Sequence, residues 1–269
     1  MKPDYEEKGI KAYLGDCLEV MPYIEDNLVD LTITSPPYDN LRTYENDLVW
    51  NWGVFTGIAK ELYRVTKKGG VVVWVVGDAT IRGSETGTSF KQALFFKEIG
   101  FNLHDTMIWE KTNPMPKIKT KRYFDVFEYM FIFSKGQPKT LNPIMVDCKL
   151  GGKEYHSTCK NIGGERGRTK KNFILNKQRY KNNIWQNAVA QNKTRHPAIF
   201  PEQLARDHII SWSNEGDTVL DPMLGSGTTG KMAKILNRHF IGIDISREYL
   251  DIAKRRIEET DPLFQAVRL

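Results

Sequence analysis

Short apolar runs alternate with amphipathic stretches through the first 134 residues, and no other feature of the sequence constrains the fold as strongly. Residues 29–34 (VDLTIT) and 71–76 (VVVWVV) are rich in β-branched side chains, which is typical of strands buried in a sheet. Between them, residues 48–66 carry large apolar side chains at helical spacing, and the Lys-Lys-Gly-Gly that follows is typical of a helix C-terminus. A strand, a helix and a second strand in this order predict a parallel α/β sheet.

The alternation continues on both sides of a segment that lacks it. Further elements are predicted as a helix over 88–99, strands over 102–109 and 126–133, a helix from Pro201 to about Trp212, a strand over 218–220, a helix from Thr228, a strand over 240–243 and a helix from Ser246. Residues 135–195 are instead rich in Gly, Lys, Asn and Arg and show little periodicity. The sequence therefore predicts one doubly wound, mostly parallel α/β sheet, built from residues 1–134 and 196–269, with an inserted region at 135–195.

The inserted region is strongly basic. Between Lys135 and Arg195 there are 14 Lys or Arg against 3 Asp or Glu, a local charge of +11 in a chain whose net charge is +6. Clustered cations attract phosphates and release counterions, so this segment predicts a nucleic-acid surface. A solvated basic loop without a partner is the alternative that the charge pattern leaves open.

Neither a membrane segment nor a metal site is expected. The N-terminus has no apolar segment behind a positive start, and the longest apolar run, residues 71–76, is too short to cross a bilayer. A cytoplasmic protein is therefore expected. Cys17, Cys148 and Cys159 are widely spaced without a C-x-x-C pair, which predicts neither a disulfide framework nor a metal centre.

A glycine-rich loop follows one predicted strand and opens a helix; it reads Asp221-Pro222-Met223-Leu224-Gly225-Ser226-Gly227-Thr228-Thr229-Gly230-Lys231. Its glycines match G-x-G-x-x-G, so backbone N–H groups converge on a ligand there. Asp244 ends the next predicted strand, where a carboxylate can accept hydrogen bonds from ribose hydroxyls in dinucleotide or S-adenosylmethionine (AdoMet) sites. A phosphate-binding P-loop is disfavoured because Met232 lacks the hydroxyl that would hold Mg²⁺. A tight turn without any ligand remains open.

A second loop, Ser35-Pro36-Pro37-Tyr38, directly follows the strand at 29–34, at the edge where parallel sheets place their ligands. Its prolines stiffen the loop and remove two N–H donors, so that a carbonyl there can point at a substrate. Exocyclic base amines need such acceptors, because their lone pair is delocalised into the ring. We assign this role to the Ser35 hydroxyl and a carbonyl of Ser35 or Pro36, with Tyr38 as a ring face for a base that has left the duplex. An ordinary proline turn is the alternative.

Together these motifs resemble the N4-cytosine/N6-adenine DNA methyltransferases of the permuted β arrangement, in which the catalytic loop precedes the recognition region and the cofactor loop lies near the C-terminus. The resemblance covers nearly the whole chain and implies a Rossmann-like methyltransferase sheet, AdoMet as cofactor, double-stranded DNA as substrate, and target recognition by residues 135–195. It implies catalytic roles for Ser35, Pro36, Pro37 and Tyr38. The cofactor contacts that it implies are Asp16, Phe200, Pro201, Leu204, Asp221, Pro222, Gly225, Ser226, Gly227, Thr228, Thr229 and Asp244.

Several of these assignments have alternatives. Asp16 can equally cap a helix that begins near Cys17, and Phe200 and Leu204, four residues apart, can be core residues of an amphipathic helix. Family members with Ser-Pro-Pro-Tyr tend to methylate cytosine N4, whereas adenine-N6 enzymes usually carry Asp or Asn at the first position, so Ser35 favours cytosine. A cytosine-C5 enzyme is disfavoured because no cysteine lies in a Pro-Cys loop.

Other functions stay open at this point. An RNA or protein amino-methyltransferase could use the same loop, and a catalytically silent DNA-binding relative could retain the fold. The resemblance favours a homodimer and leaves open whether a cognate restriction endonuclease exists.

Overall fold

The computed structural model describes residues 1–38, 50–114, 121–159, 169–189 and 201–260, with the side chains of 156–159 and 169–172 left out. The α-helices of this part are α1 (Cys17–Val20), α2 (Trp52–Val65), α3 (Thr88–Glu98), α4 (Glu202–Trp212), α5 (Thr228–Ile235) and α6 (Arg247–Glu258). The strands are β1 (Tyr5–Glu7), β2 (Ile10–Leu14), β3 (Val29–Thr34), β4 (Thr66–Val76), β5 (Thr80–Ile81), β6 (Ser84–Glu85), β7 (Asn102–Lys111), β8 (Phe127–Ser134), β9 (Met145–Asp147), β10 (Glu154–Cys159), β11 (Thr169–Ile174), β12 (Gln178–Tyr180), β13 (Ile184–Asn187), β14 (Thr218–Asp221) and β15 (His239–Asp244).

A nine-stranded sheet forms the centre of the fold, in the order β1-β2-β15-β14-β3-β4-β8-β7-β13. Strands β2, β15, β14, β3 and β4 run parallel, and β7 and β13 share their direction, whereas β1 and β8 are antiparallel to their neighbours. The predicted mostly parallel α/β sheet is thereby confirmed. Among the described residues, no helix is both long and apolar enough to span a bilayer.

Helices cover both faces of the sheet. Successive strand residues point their side chains to opposite faces, so each face has apolar side chains for helices to pack against. On one face, Trp74 of β4 packs edge-on against Phe55 of α2 and Phe96 of α3. The indole N–H of Trp74 donates to the buried amide of Gln92 at 2.8 Å, which satisfies the polar atom inside this core. Helices α4, α5 and α6 pack against one another and against β3, β14, β15 and β2.

The direction of β8 determines which residues reach the functional edge of the sheet. Parallel strands β3, β4, β14 and β15 all end at one edge, where open α/β sheets bind ligands. Strand β8 runs the other way, with Val76 of β4 opposite Tyr129 of β8. The start of β8 therefore lies at the edge where the parallel strands end.

Residues Pro143–Asn182 form a second compact unit, which we call unit 2. It contains two antiparallel pairs, β9 with β12 and β10 with β11. Its ends are joined by a hydrogen bond from the Lys181 N–H to the Ile144 carbonyl at 2.8 Å. The remaining described residues form the other unit, which includes β13 even though it falls inside the inserted region predicted at 135–195. β13 is an edge strand of the large sheet, parallel to β7.

Two local expectations differ from the structure. The Lys-Lys-Gly-Gly stretch was expected to end a helix, but α2 ends at Val65 and β4 begins at Thr66. Gly69 has a φ of 83° and its N–H donates to the Lys135 carbonyl, so this glycine bends the strand start rather than capping the helix. The β1–β2 hairpin was not predicted, because its short strands carry too few apolar residues to stand out.

Candidate active site

The two predicted loops begin side by side at the functional edge of the sheet. β3 and β14 are parallel neighbours, and the Thr34 hydroxyl at the end of β3 donates to Asp221 Oδ1 at 2.9 Å in a buried position. Ser35 follows Thr34, and Pro222 follows Asp221. The structure therefore brings the Ser-Pro-Pro-Tyr loop and the glycine-rich loop together through one hydrogen bond.

Ser35 and Tyr38 belong to a chain of hydrogen bonds that ends on a buried ion pair. Ser35 Oγ lies 2.9 Å from the Tyr38 hydroxyl, which donates to Glu128 Oε2 at 2.6 Å. Glu128 is only 7% exposed, and its Oε1 lies 2.7 Å from Lys111 Nζ. Pro36 is buried and Pro37 is half-buried between the two ends of this loop. The chain fixes the ring of Tyr38 by its hydroxyl group.

Glu128 and Lys111 were not predicted as site residues from the sequence. Glu128 is the second residue of β8 and Lys111 is the last of β7, and both positions lie at the functional edge because β8 is antiparallel. A single acidic residue in the otherwise apolar run FEYMFIFS was the available signal. A carboxylate inside a buried strand requires a partner, which here is supplied by Tyr38 and Lys111.

The glycine-rich loop is folded around the carboxylate of Asp244. Asp244 Oδ2 accepts the Gly225 N–H at 2.7 Å, and Oδ1 accepts the Ser246 N–H at 2.8 Å. Burial raises the pKa of Asp244 to about 6, although the bonds from Ser246 and Gly225 act in the opposite direction. The loop therefore holds a buried carboxylate at the end of β15, at the position that the sequence analysis assigned to ribose recognition.

Gly227 shows why this loop requires glycine. It stands before α5 with a φ of 77°, a region that residues with a side chain rarely adopt. A Cβ at this position would lie 2.6 Å from the Cβ of Ala253 in α6. Close packing of α6 on the loop and the left-handed turn therefore both exclude a side chain.

Asp221 is a second buried carboxyl group in the same loop. Burial raises its pKa to about 6, while bonds from the hydroxyls of Thr229 and Thr34 and from the Met223 N–H lower it. The negative charge of Asp244 acts in the same direction as burial. Pro222, Ser226 and Thr228 are buried beside these groups. The loop thus combines buried carboxyls with backbone donors.

Arg256 of α6 holds the loop from behind. Its guanidinium donates to the Ser226 carbonyl at 2.6 Å, to Ser226 Oγ at 2.8 Å and to Thr228 Oγ1 at 3.2 Å. Glu202 Oε1 in turn accepts from Arg256 at 2.8 Å and from Lys231 at 2.7 Å. Burial alone would raise the pKa of Glu202, but these two cations lower it overall. Neither Arg256 nor Glu202 was predicted, because each carries an ordinary surface charge in an amphipathic helix.

The other predicted cofactor contacts occupy varied positions. Asp16 caps α1, with Oδ1 accepting the Leu18 N–H at 2.8 Å, and it follows β2, whose last residue pairs with Asp244. Pro201 is buried directly before α4, and Leu204 is fully buried in that helix. Leu204 thus has the burial of a core residue. Phe200 lies outside the described residues.

Within the described part of the chain, no cluster of three or more His, Cys, Asp or Glu side chains is arranged to hold a metal ion. Cys17 is buried in the core, and burial raises the pKa of its thiol to about 12. The thiol is therefore protonated at neutral pH, which excludes it as a thiolate nucleophile.

The mostly parallel sheet, with antiparallel β1 and β8 and two adjoining loops at its carboxyl edge, has the Rossmann-like methyltransferase fold. The model of the N6/N4 DNA methylase family matches residues 29–255 of the chain. The chain is 52% identical over 260 residues to the orphan methyltransferase M.BamHII of Bacillus amyloliquefaciens, covering 93% of this chain and 92% of that protein.

Solved structures agree with this fold. The PvuII DNA methyltransferase (cytosine-N4-specific) superimposes with a TM-score of 0.71 at 21% identity, covering 98% of this chain and 92% of that one. The M1.HpyAVI–SAM complex superimposes with a TM-score of 0.59 at 26% identity, covering 92% and 99%. The chain belongs to the N6/N4 DNA methylase family, whose members are AdoMet-dependent DNA methyltransferases.

The residues of the glycine-rich loop fit AdoMet, a cofactor with a ribose and two cationic centres. Asp244 accepts backbone N–H groups from Gly225, Ser246 and Ile245, which leaves lone-pair capacity on its two oxygens for a ribose hydroxyl. Buried carboxyls at Asp221 and Asp244 favour a cation nearby, since a positive charge offsets the cost of burying their negative form. The donor set and charge of the loop are therefore those that this cofactor requires.

Proposed function

We propose that this DNA methyltransferase modifies the exocyclic N4 amine of a cytosine in double-stranded DNA, with Ser35-Pro36-Pro37-Tyr38 as its catalytic loop. The observation that carries the proposal is the hydrogen bond between Thr34 and Asp221, because it sets the first residue of the catalytic loop beside the cofactor loop. A methyl donor in one loop and an acceptor amine at the other would then be neighbours.

The catalytic loop supplies hydrogen-bond acceptors rather than a nucleophile. A base amine is a poor nucleophile until its two protons are held, which localises the lone pair on nitrogen. Ser35 Oγ and a carbonyl of Ser35 or Pro36 are the acceptors in this proposal, and the ring of Tyr38 supports the base. AdoMet, when bound, supplies an electrophilic methyl group. The target base must leave the duplex to reach this edge of the sheet.

The cofactor loop binds and orients the methyl donor. Asp244 is assigned to the ribose, and the residues from Gly225 to Thr229 contribute backbone N–H donors. Asp16 and Asp221 add carboxyl groups, and Pro222 is assigned to the cofactor wall beside Asp221. Pro201, Leu204 and Phe200 are assigned to the segment that closes over the cofactor. Arg256 and Glu202 support the loop from behind through the Ser226 carbonyl and are added to the predicted set.

Serine at position 35 favours cytosine N4 over adenine N6. Adenine-N6 enzymes usually carry Asp or Asn there; a neutral hydroxyl is a weaker acceptor than an ionised Asp, and a more readily activated amine tolerates it. Adenine N6 is the alternative, since both amines present two protons beside a ring nitrogen.

Recognition of DNA is assigned to residues 135–195, which include unit 2. Exposed cations such as Lys149, Lys177 and Arg179 suit phosphates, and the exposed ring of Tyr180 suits a base or sugar. The DNA sequence that this region selects depends on groove contacts. A cytoplasmic location stays a prediction from the apolar pattern and a homodimer one from the family resemblance, and a cognate restriction endonuclease stays open.

Methylation of DNA with labelled AdoMet, followed by digestion to nucleosides and mass spectrometry, tests the proposal. N4-methylcytosine is expected, and its formation should be abolished or strongly reduced by Ser35→Ala. Ser84→Ala, which replaces a serine in the exposed strand β6, is the matched control and should behave as wild type. Formation of N6-methyladenine instead would show that adenine, and not cytosine, is the target base.

Two further outcomes would overturn the proposal. Salt-sensitive DNA binding without any labelled nucleoside would identify a catalytically silent DNA-binding protein. Transfer to RNA that duplex DNA does not inhibit would identify an RNA methyltransferase.

A further inference from the structure

We propose that Glu128 is a positioning residue that fixes the direction of the hydrogen bonds in the catalytic loop, so that Ser35 presents its lone pairs to the target amine. The inference rests on the proposed function and concerns how Ser35 is kept in its accepting role. A serine hydroxyl can rotate and either donate or accept, so the loop needs a device that selects one direction.

Glu128 can only accept from Tyr38. Its two oxygens are divided between partners, Oε1 with Lys111 Nζ at 2.7 Å and Oε2 with the Tyr38 hydroxyl at 2.6 Å. The ion pair with Lys111 makes Glu128 a carboxylate acceptor without a proton of its own. The single hydroxyl proton of Tyr38 is therefore committed to Glu128.

The direction of the next bond follows from this proton count. Tyr38 has already donated its proton, so in the 2.9 Å contact with Ser35 it can only accept. Ser35 must then donate its proton to Tyr38. The lone pairs of Ser35 Oγ are left to accept a proton of the amine, which is the role that the proposed chemistry requires.

Burial makes the device selective. Glu128 is 7% exposed and the Lys111 side chain is 20% exposed, so water competes weakly for their hydrogen bonds. The backbone also places both groups, since β7 and β8 are paired antiparallel partners. Glu128 acts through Tyr38 and Ser35 and makes no contact with the base in this proposal.

Glu128→Gln tests the direction of the hydrogen bonds that run from Ser35 through Tyr38 to Glu128. A glutamine amide can donate to Tyr38, which then donates to Ser35 and turns the Ser35 proton toward the amine. We expect the single-turnover methylation rate to fall by about 10- to 100-fold, less than the 100- to 1,000-fold typical of losing a direct transition-state hydrogen bond. Affinities for AdoMet and for DNA should stay within about twofold, because the change affects kcat rather than binding.

A double mutant separates positioning from packing. In a Tyr38→Phe background the link is absent, so Glu128→Gln should slow the reaction by less than about twofold further. The inference is overturned if the rate loss of the double mutant equals the product of the two single-mutant losses. It is also overturned if Glu128→Gln or Tyr38→Phe methylates at the wild-type rate. If Glu128→Gln fails to fold, a wild-type rate for Tyr38→Phe would still overturn the inference, because this variant removes only the hydroxyl that links Ser35 to Glu128.

Glu110→Gln is the matched control. Glu110 lies next to Lys111 at the end of β7, and its replacement removes the same negative charge as Glu128→Gln does. Its carboxylate accepts a hydrogen bond from Gln186 and is not part of the hydrogen bonds that lead to Ser35. It should methylate at the wild-type rate. Absence of methylation by the wild-type protein would refute the proposed function, whereas an active wild type with an equally active Glu128→Gln would refute only this inference.

Discussion

Asp221 is expected to weaken the cofactor-free protein at neutral pH, and its replacement by asparagine should reveal this cost. Asp221 is 5% exposed, and burial raises its pKa from 3.8 to about 6. Asparagine suits the site, because Thr34 Oγ1 and the Met223 N–H both bond to Oδ1, which an amide oxygen replaces. The Thr229 hydroxyl, which can donate or accept, adapts to the amide nitrogen.

The size of the effect follows from the pKa difference between the unfolded and folded protein. The folded state binds the Asp221 proton more tightly than the unfolded state does. The protonated carboxyl therefore contributes its full stabilisation of the folded state below pH 3.8, and this contribution is lost as the pH rises through about 6. A tenfold change in proton affinity is worth about 1.4 kcal/mol, so the carboxyl costs the native state about 3 kcal/mol above pH 6. At about pH 5 the cost is only about half as large.

Urea denaturation of both proteins without AdoMet, at about pH 5 and about pH 7.5, measures this difference. The free energy of unfolding of Asp221→Asn relative to wild type should rise by about 1.4 kcal/mol between the two pH values. Asp244 titrates in both proteins, so only its coupling to Asp221 enters the comparison. A difference that does not change with pH, or one that falls toward neutral pH, would refute the reasoning.

Other predictions concern the supports of the cofactor loop and the basic segment. Glu202→Gln should weaken AdoMet binding about 2- to 5-fold in calorimetry, since a partly exposed contact with Arg256 is worth about 0.5–1 kcal/mol, and unchanged affinity would exclude this support. Gly227→Ala should lower the free energy of unfolding by about 2 kcal/mol or more, because its positive φ and the approach of Ala253 both oppose a side chain; a thermal melt equal to wild type would contradict this. Lys177→Gln should reduce the slope of log DNA affinity against log salt by about one, and an unchanged slope would place this lysine away from phosphate.

The order of elements was predictable from sequence because each signal is local. Strands β3 and β4 are rich in β-branched residues and are buried over all or most of their length, and the neighbouring helix α2 shows an apolar face. The Ser-Pro-Pro-Tyr loop and the glycine-rich loop were likewise found where strands end. Their contact through Thr34 and Asp221 follows from the pairing of β3 with β14, which a single sequence does not reveal.

The polar groups that support the two loops could not be predicted in the same way. Glu128 meets Tyr38 only because β8 enters the sheet antiparallel, and the two residues are 90 positions apart. Arg256 reaches Ser226 only because α6 packs on the glycine-rich loop. Leu204 illustrates the opposite limit, since an apolar residue at helical spacing fits both a core and a cofactor wall.

The closed ends of unit 2 have a consequence for protein engineering. The Lys181–Ile144 hydrogen bond and the pairing of Tyr180 with Met145 hold the two ends of unit 2 together. The flanking residues Asn142 and Asn183 are anchored separately, by the Ser211 carbonyl and the Ile108 N–H. A change in the number of residues between such fixed ends has a small free-energy cost, since doubling the length of a loop costs only about 0.6 kcal/mol in closure entropy. If unit 2 selects the DNA site, as proposed for residues 135–195, chimaeras that exchange Pro143–Asn182 should fold and methylate the donor's DNA site.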